Sequence, residues 1–301
     1  MTTRTLLSLG HGYSAQALSR RLAPQGWRII GTTRSAAKAE AIRASGAEPL
    51  LWPGAPVAEA LAAASHLLVS AAPGPEGDPV LAALGPEIAA AAPRLAWAGY
   101  LSTTGVYGDR AGGWVDEGSD CRPATARGRA RLAAERAWGQ VPGLPLHIFR
   151  LAGIYGPGRG PFAKVRAGTA RCIVKPGQVF SRIHVADIAS ALAASIARPN
   201  PGAVYNICDD EAAPPEAVIA HAARLLGLPP PPDEPFESAA MTPMARSFYA
   251  ESKRVSNARL REELGVALAY PSYREGLAAL LAAENAENAE DAEDRDITPP
   301  A

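Results

Sequence analysis

Two arginines stand one helical turn apart in PATARGRARLAAER, residues 123–136. Arg127 and Arg131 are four residues apart in a stretch that is typical of a helix start, so their side chains share one face. A guanidinium binds carboxylates and phosphates, but it does not release its proton in a protein. The pair therefore predicts a site for an anionic group. The alternative is a solvated face, because Glu135 continues the same row and could pair with Arg131.

A glycine-rich turn close to the start of the chain predicts a dinucleotide site. GHGYSA, residues 10–15, follows a predicted strand, opens a predicted helix and fits the G-x-G-x-x-A form of the dinucleotide fingerprint. The glycines permit a tight turn and let backbone N–H groups approach a pyrophosphate at the positive end of the helix. The alternative is a purely structural glycine turn. The residues predicted to bind the cofactor here are Gly10, Gly12, Tyr13, Ser14 and Ala15.

The end of the second predicted strand indicates which dinucleotide would bind. An NAD enzyme usually has Asp or Glu there, which accepts hydrogen bonds from the ribose hydroxyls. This chain has Thr32, Thr33 and Arg34 instead. A hydroxyl and a guanidinium suit a 2′-phosphate, so Thr33 and Arg34 favour NADP over NAD, and a solvated Arg34 is the alternative. Trp52, after the third strand, either borders the adenine pocket or belongs to the core.

The elements that must position these residues alternate between short apolar strands and alanine-rich helices. The predicted strands are 5–10, 27–34, 48–52, 66–73, 94–104 and 144–156, the last running into a loop. The predicted helices between them are 14–26, 36–46, 57–64, 79–92 and 126–139. Strands and helices joined by short connections predict an α/β fold with a doubly wound parallel sheet, the Rossmann fold.

The pattern changes after residue 156, which predicts a second, smaller α/β unit. A hairpin-like signal surrounds Pro176-Gly177, and a helix over 187–197 is expected to have Asp187 as its N-cap. A strand over 202–210 and helices over 215–227 and 256–265 follow. The predicted domains are an NAD(P)-binding domain, 1–156 plus 183–210, and a small substrate-binding domain, 157–182 plus 211–282. The acidic tail, 283–301, has almost no large apolar residues, which predicts disorder.

Composition excludes several classes of function. The formal net charge is zero and 48% of the residues are hydrophobic, which argues against a partner that is a nucleic acid or a membrane surface. Three scattered cysteines, Cys121, Cys172 and Cys208, are typical of a reduced, intracellular protein. No His, Cys or carboxylate cluster has ligand spacing, and no apolar run is long enough to span a bilayer. We therefore expect a cytoplasmic protein without a metal site.

The segment YLSTTGVYG, from Tyr100 to Gly108, resembles the Y-x-S-S/T-x-x-V-Y-G segment of the extended short-chain dehydrogenases/reductases, the NAD-dependent epimerase/dehydratase family. The resemblance covers about residues 1–280. It implies a Rossmann domain that binds NAD(P), with Ser70, Ala71 and Gly153 among the cofactor contacts, and a small domain that closes over a substrate. The further matching segments are Arg150–Arg159, Arg182–Asp187, Tyr205–Asp210, Lys253–Asn257 and Glu263–Gly265.

The resemblance also implies catalytic positions. Family enzymes use a Ser or Thr, here Thr103, together with a Tyr and a Lys four residues later. The Tyr and Lys positions hold Arg127 and Arg131 in this chain, as in an atypical member similar to the YeeZ-type bacterial proteins. A tyrosine has a pKa of about 10 that a neighbouring Lys⁺ lowers, whereas Arg127 cannot transfer a proton. Arg131 could still supply the positive field and the ribose contacts of the Lys.

The function that this resemblance implies is an NAD(P)-dependent oxidoreductase acting on a small carbonyl, alcohol or nucleotide-sugar-like substrate. Thr103 would polarise the substrate oxygen. The acidic residues of the dehydratases are absent, because Thr104 and Gly105 stand there. The alternatives are a nucleotide-sugar epimerase and a catalytically silent NADP-binding sensor or scaffold. The expected substrates include anionic compounds. The residues expected to contact the substrate are Thr104, Arg159 and Arg182.

Three further side chains could serve as acids or as structural groups. His184 lies in the I-H-V-x-D segment, where a structural hydrogen bond is favoured over catalysis. Tyr107 and Tyr155 could replace the missing acid, but both belong to Y-G segments that normally pack beside the cofactor. The alanine-rich helices over 79–92 and 126–139 permit the close packing of a homodimer.

Overall fold

The computed structural model describes residues 4–296 and the side chains of residues 4–289. The strands in this part of the chain are β1 (Thr5–Leu9), β2 (Arg28–Thr33), β3 (Glu48–Leu51), β4 (His66–Val69), β5 (Trp97–Thr103), β6 (Trp114–Val115), β7 (Leu146–Leu151), β8 (Gly153–Tyr155), β9 (Cys172–Val174), β10 (Arg182–His184), β11 (Val204–Ile207), β12 (Asp233–Pro235) and β13 (Arg254–Val255). The helices are α1 (Tyr13–Leu22), α2 (Ala39–Ala44), α3 (Val57–Ala63), α4 (Pro79–Ala91), α5 (Ala126–Gly139), α6 (Phe162–Arg166), α7 (Val185–Ala197), α8 (Pro215–Leu225), α9 (Pro243–Phe248), α10 (Ala258–Leu264) and α11 (Tyr273–Asp296).

Seven strands form the central sheet, in the order β3-β2-β1-β4-β5-β7-β11, and every pair is parallel. Leu7 of β1, for example, lies beside Ile30 on one side and Leu67 on the other. The chain builds the sheet outward in one direction from β1 and in the other from β4. The predicted doubly wound α/β fold is thus confirmed, and the crevice at the carboxyl ends of β1 and β4 is where such sheets bind ligands.

Helices cover both faces of the sheet because its strands are buried on both sides. One apolar cluster joins α1, α2, α7 and α10 to the sheet through residues such as Leu18 and Ile188. The other joins α3, α4 and α5 through residues such as Ile88 and Trp138. Trp52 packs against this second cluster, as in the core interpretation of that residue. Parallel strands buried on both faces are expected of an α/β layer structure.

A third apolar cluster lies outside the sheet. It is formed by α6, α8 and α11, with Phe162, Ala222 and Leu277 among its fully buried members. Three short parallel pairs, β8 with β10, β9 with β12 and β6 with β13, also lie outside the central sheet. Of these elements, β8 and β10 contribute Gly153 and Arg182 to a cavity that Thr103, at the end of β5, also lines.

Three predictions about local structure were wrong. Pro176-Gly177 is a turn, but the strands beside it pair with β12 and β8 rather than with each other, so no hairpin forms. The N-cap of α7 is His184, whose Nδ1 accepts the N–H of Ala186 at 3.2 Å. Asp187 lies in the first turn instead, where its carboxylate accepts the N–H groups of residues 269 and 270.

The third wrong prediction concerns the acidic tail. Helix α11 continues to Asp296, so the part of the segment 283–301 that the structure describes is helical rather than disordered. Alanine and glutamate, which dominate this segment, have high helix propensities. The composition predicted disorder because the segment is highly charged and has almost no large apolar residues. Residues 297–301 lie outside the described part of the chain.

A buried ion pair connects α5 to the sheet. Arg150 of β7 donates to Glu135 of α5, with Nη2 2.8 Å from Oε2, and the two side chains are 8% and 4% exposed. Ser102 of β5 also donates to Glu135. Arg150 in addition donates to the hydroxyl of Tyr107 at 3.0 Å, and that hydroxyl donates to Asn206 of β11 at 2.7 Å. One network therefore joins α5 to three strands and to the loop after β5.

Removing the carboxylate of this pair should destabilise the whole fold. Glu135→Ala leaves the Arg150 guanidinium buried without its counter-charge, so we expect a loss of about 3–5 kcal/mol in the free energy of unfolding. Urea denaturation measures this loss. The matched control is Glu48→Ala, because Glu48 pairs with Arg28 while both side chains are about half exposed (57% and 47%), and its loss should stay below about 1 kcal/mol. Equal losses in both variants would contradict the prediction.

Candidate active site

The turn after β1 is fixed from two sides. Gly10 has a φ of +83°, and a Cβ there would lie 2.7 Å from the backbone nitrogen of Ala71. Its N–H donates to the hydroxyl of Thr32 at 2.8 Å, and its carbonyl accepts the hydroxyl of Ser70. Because the ends of β1, β2 and β4 meet here, only glycine fits at position 10.

The second glycine of the turn, Gly12, is not explained by close packing as Gly10 is. Gly12 is exposed and is the N-cap of α1, and a Cβ there would meet only the carbonyl oxygen of Gly10, at 3.8 Å. Packing within the described chain therefore does not require glycine at position 12. The first turn of α1, Tyr13 to Ala15, carries no acidic residue, and no side chain caps the helix. Open space thus faces the positive end of α1, where an anion is favoured.

Between the two glycines of the turn lies a buried histidine, His11, for which no role was predicted. His11 is buried, and its Nε2 lies 3.3 Å from the hydroxyls of both Ser19 and Ser45. Burial lowers the pKa of His11 to about 4, so the ring is neutral at neutral pH. Gly31 of β2 makes room for it, because a Cβ there would lie 2.5 Å from the imidazole. The sequence signal was a glycine in the middle of a buried strand.

The hydroxyls at the end of β2 have separate tasks. Thr32 is buried, and its hydroxyl accepts the N–H of Gly10 and donates to the carbonyl of Ser8 at 3.3 Å. Thr33 accepts the N–H of Ser35 at 3.2 Å. Arg34 is exposed, and no hydrogen bond or ion pair engages its side chain within the described residues. The guanidinium of Arg34 is thus free to bind a ligand.

A cavity of about 930 Å³ lies at the carboxyl ends of β5 and β7. It is lined by six of the residues singled out from the sequence, namely Thr103, Thr104, Arg127, Gly153, Tyr155 and Arg182. Residues without a sequence-predicted role complete the wall. The apolar ones are Ile154, Val179, Phe180, Met244, Phe248 and Val255, and the polar ones include Ser181, Ser247, Glu251 and Lys253. Met244 and Phe248, both on α9, are 63% and 53% exposed. An apolar pocket with a few polar groups is the usual form of a small-molecule site.

Thr103 and Arg127 face this cavity from opposite elements. Thr103 ends β5, and its Oγ1 accepts the N–H of Gly105 at 3.1 Å. Its own hydroxyl proton engages no acceptor among the described residues, so it can be donated to a ligand. Arg127 is exposed, and its guanidinium carbon lies 5.7 Å from the ring centroid of Phe248. This cation–π contact holds a positive charge at the mouth of the cavity.

Arg131 lies next to the cavity, on the side of the glycine turn. Its Nη1 donates to the carbonyls of Leu101 and Ala71, at 2.9 and 3.4 Å, and to the hydroxyl of Tyr100 at 3.1 Å. The alternative pairing with Glu135 was wrong, since that carboxylate pairs with Arg150. All these bonds use one nitrogen, and no described residue accepts a hydrogen bond from Nη2 or Nε of Arg131, which lie near the carboxyl ends of β4 and β5.

Arg159 is placed at the glycine turn rather than on the cavity wall. Its guanidinium carbon lies 4.3 Å from the ring centroid of Tyr13. The Tyr13 hydroxyl donates to the carbonyl of Pro157 at 2.9 Å. The first residue of α1 is therefore joined to the loop after β8, and Arg159 is closer to the predicted cofactor residues than to the predicted substrate residues.

Arg182 lines the cavity above a buried carboxyl group. Its Nη1 donates to the carbonyls of Phe180 and Ala213, at 2.9 and 3.0 Å. Behind it lies Asp209, which is buried and whose two side-chain oxygens have no hydrogen-bond partner in the described part of the chain. Burial raises the pKa of Asp209 to about 8, although the positive charge of Arg182 opposes this shift.

The tyrosines considered as substitute acids are both held in structural hydrogen bonds. Tyr107 is fully buried and donates to Asn206, and burial raises its pKa to about 12. Tyr155 donates to the carbonyl of Ser272 at 3.2 Å, and burial together with the carboxyl of Asp209 raises its pKa well above its usual value. Neither is suited to release a proton near neutral pH.

His184 has structural contacts as well. It caps α7, and its ring centroid lies 4.0 Å from that of Tyr270. Burial lowers its pKa to about 4. These contacts favour the structural interpretation of His184 over a catalytic one.

Two general features of the described residues bear on function. None of the helices is long and apolar enough to cross a membrane. Within the same residues, no group of three or more His, Cys, Asp or Glu side chains could hold a metal ion.

Comparison with curated proteins found two informative relatives. The chain is 30% identical over 274 residues to the protein YeeZ of Escherichia coli K12, covering 87% of this chain and 95% of YeeZ. It is 31% identical over 175 residues to a 3-diazoavenalumate denitrifying reductase of a Streptomyces species, covering 54% of this chain and 55% of the reductase. No family model matches the chain.

Comparison with solved structures supports the same fold. A functionally unknown conserved protein from Silicibacter pomeroyi is 65% identical, with a TM-score of 0.90 over 94% of this chain and 99% of that one. A UDP-glucuronic acid 4-epimerase from Bacillus cereus, solved with NAD, is 17% identical, with a TM-score of 0.72 over 91% and 96% of the two chains. The latter likeness concerns the fold alone.

Asp209 should make the stability of the protein depend on pH. The folded protein holds this proton up to about pH 8, whereas an unfolded chain releases it near pH 3.9. The contribution of Asp209 to the free energy of unfolding should therefore fall as the pH rises from about 4 to 8, by at most about 1.4 kcal/mol per pH unit, whereas the buried His11 and His184, with pKa values near 4, contribute in the opposite sense. Asp209→Asn cannot lose a proton, so the variant should gain stability relative to the wild type between pH 5 and pH 8.

Urea unfolding at pH 5 and pH 8 measures this difference. The matched control is Asp120→Asn, because Asp120 is 69% exposed and paired with Arg122 at the surface. Parallel stability changes with pH in the wild type and in Asp209→Asn would contradict the prediction.

Proposed function

Because this chain belongs to the extended short-chain dehydrogenase/reductase family, in its YeeZ-like branch, we propose that it is an NAD(P)-dependent oxidoreductase that interconverts a small carbonyl compound and its alcohol. The observation that carries the proposal is the position of Thr103. It lies at the carboxyl end of β5, on the wall of the cavity, with a hydroxyl proton to donate. A donor placed there stabilises negative charge on a substrate oxygen.

The residues of the glycine turn fit a dinucleotide. Gly12 leaves open space at the positive end of α1, where a pyrophosphate would be bound by the backbone N–H groups of Tyr13, Ser14 and Ala15. A nicotinamide dinucleotide supplies or accepts the hydride when it is bound. Arg34 and Thr33 support NADP as the form that binds, since the first carboxylate after β2 comes only at Glu40.

The remaining nitrogens of Arg131 suit the ribose next to the nicotinamide. The residue occupies the family's Lys position, and its Nη1 is anchored to Leu101 and Ala71 between the glycine turn and the cavity. Nη2 and Nε can donate to ribose hydroxyls and keep a fixed positive charge there. Arg131 thus keeps the binding part of the Lys role, which needs no proton release.

The walls of the cavity favour an anionic substrate with an apolar body. Arg127 and Arg182 add positive charge to a surface otherwise formed by residues such as Phe180 and Phe248. A carboxylate could pair with Arg127, which has no ion pair among the described residues. The relative that is named a reductase supports reduction as the direction.

Two other functions remain as alternatives to this proposal. An epimerase needs an acid/base group that can both remove and return a proton, and Arg127 does not provide one. A silent dinucleotide-binding protein would use only the glycine turn and leave the cavity without a substrate. Turnover of a carbonyl compound distinguishes the proposed oxidoreductase from the silent protein.

Arg34 should determine the preference for NADPH. Loss of a charged hydrogen-bond donor to the 2′-phosphate costs about 1.5–3 kcal/mol, so Arg34→Ala should weaken NADPH binding by about 10- to 100-fold. Binding of NADH, which lacks that phosphate, should not change. Nucleotide fluorescence titrations measure both affinities.

The matched control for this experiment is Arg43→Ala. Arg43 is also exposed and follows β2, but it pairs with Glu40, so its loss should leave both affinities unchanged. An equal loss for both nucleotides in Arg34→Ala, or a wild type that prefers NADH, would contradict the assignment of NADP.

Thr103 should be needed for turnover. Thr103→Val removes the donor to the substrate oxygen, and we expect kcat to fall about 100- to 1,000-fold, as for the loss of one oxyanion donor. Thr103→Ser keeps the hydroxyl and should retain most of the rate. Reduction of phenylpyruvate, which is anionic, and of benzaldehyde, which is neutral, is followed by the disappearance of NADPH.

Thr169→Val is the control, since Thr169 is exposed and lies outside the cavity. A wild type that binds NADPH but reduces neither compound would favour the silent protein. An unchanged rate in Thr103→Val would show that the substrate oxygen lies elsewhere.

A further inference from the structure

A lysine and a glutamate that the proposed function does not use face the cavity together. Lys253 and Glu251 both line it, with Nζ 2.8 Å from Oε2. Their side chains are only 11% and 10% exposed. The other carboxylate oxygen of Glu251, Oε1, is buried and has no hydrogen-bond partner within the described residues. The pair is thus nearly enclosed, and Glu251 keeps a polar atom unused.

Lys253 is also the group in the cavity wall best suited to release a proton. The other cations there, Arg127 and Arg182, are guanidinium groups, which keep their protons. Tyr155 is bound to a carbonyl oxygen. Glu251 accepts the hydrogen bond that Lys253 donates. Alkylammonium and phenol groups ordinarily release a proton in the same range, near pKa 10, so a lysine can do the work of the missing tyrosine.

The position of Lys253 brings it to the side of the cavity where β7 and β8 meet. Lys253 directly precedes β13, and both Lys253 and Val255 of β13 line the cavity. The N–H of Val255 donates to the hydroxyl of Ser181 at 3.1 Å, and the carbonyl of Ser181 accepts the N–H of Gly153 at 3.1 Å. The segment that carries Lys253 is therefore tied to Gly153, which belongs to the predicted cofactor contacts.

We propose that Lys253 is the proton donor of the reaction and that Glu251 is its positioning residue. The proposal rests on the proposed reductase function. The reduced nicotinamide dinucleotide would, when bound at the glycine turn, supply the hydride that bonds to the carbonyl carbon. The electron pair of the C=O π bond moves to the oxygen, and the Lys253 ammonium gives that oxygen a proton. The resulting Lys253 amine takes a proton from water, and the products are the alcohol and the oxidised dinucleotide.

With Lys253 and Glu251 in these roles, hydrogen bonding to the substrate oxygen and proton transfer to it are carried out by different residues. Thr103 donates a hydrogen bond to the substrate oxygen but keeps its proton, and Lys253 transfers one. Glu251 holds the ammonium in the cavity, where an unpaired buried charge would be costly. Binding of the anionic part of the substrate is left to Arg127.

The test separates the charge of Lys253 from its proton. Lys253→Met removes both, whereas Lys253→Arg keeps the charge and cannot release a proton. Lys164→Met is the matched control, because Lys164 is an exposed lysine of α6 outside the cavity wall. For each full-length protein, kcat with phenylpyruvate and NADPH, NADPH affinity by fluorescence, and the thermal unfolding midpoint are measured.

We expect kcat to fall about 100- to 10,000-fold in both Lys253 variants, the usual contribution of general acid catalysis. NADPH affinity should stay within about twofold of the wild type. Lys253→Ala should regain turnover when methylammonium is added, because the small amine can occupy the vacated space and donate the proton. A structural role would not be rescued in this way. The control should match the wild type in all measurements.

The possible failures are distinguishable. If the wild type reduces its substrate and Lys253→Arg keeps the rate, Lys253 acts through its charge alone, and only the proton-donor role is overturned. If the wild type binds NADPH but reduces nothing, the proposed function and the proton-donor role both fail. If Lys253→Ala is inactive and methylammonium restores nothing while the thermal midpoint is unchanged, the proton-donor role is again overturned.

Discussion

The ion pair between Glu135 and Arg150 is the interaction on which the geometry of the cavity depends. Helix α5 carries Arg127 and Arg131. The Glu135–Arg150 ion pair fixes this helix to β7, and the hydrogen bond from Ser102 to Glu135 fixes it to β5. Two charges withdrawn from water are tolerated together only when their remaining hydrogen-bonding groups are also satisfied. The hydroxyl of Tyr107 meets part of this need. The same contact keeps that tyrosine out of the chemistry.

Because of this arrangement, binding and proton transfer have to be carried by different residues. In the family pattern one tyrosine both contacts the substrate and supplies the proton. In the proposed site Arg127 takes its place and can only bind, and Tyr155 is held by a backbone carbonyl. The group that can release a proton, Lys253, reaches the cavity from another element, the segment before β13. On the proposed mechanism, the reaction type is kept although the proton donor lies on a different element of the cavity wall.

The sequence predicted the elements better than their tertiary partners. Helix α5 begins and ends where it was predicted, since its cap and its alanine-rich composition are local signals. The predicted pairing of Glu135 with Arg131 was wrong, because an i, i+4 neighbour is visible in the sequence while a partner on β7 is not. Lys253 was read as part of a family segment and given no role. Its enclosure with Glu251 arises only when β13 packs against the segment near Ser181.

The two threonines at the end of β2 divide their work in a way that matters for engineering. Thr32 is part of the scaffold, since its hydroxyl holds the N–H of Gly10 and thereby shapes the turn. Thr33 and Arg34 come after that contact, and Arg34 is bound to nothing else in the described chain. The selectivity of the proposed nucleotide site should therefore be open to redesign at 33 and 34 while the turn stays intact. A substitution of Thr32 would instead remove the hydrogen bond that shapes the turn, and would not change the nucleotide preference alone.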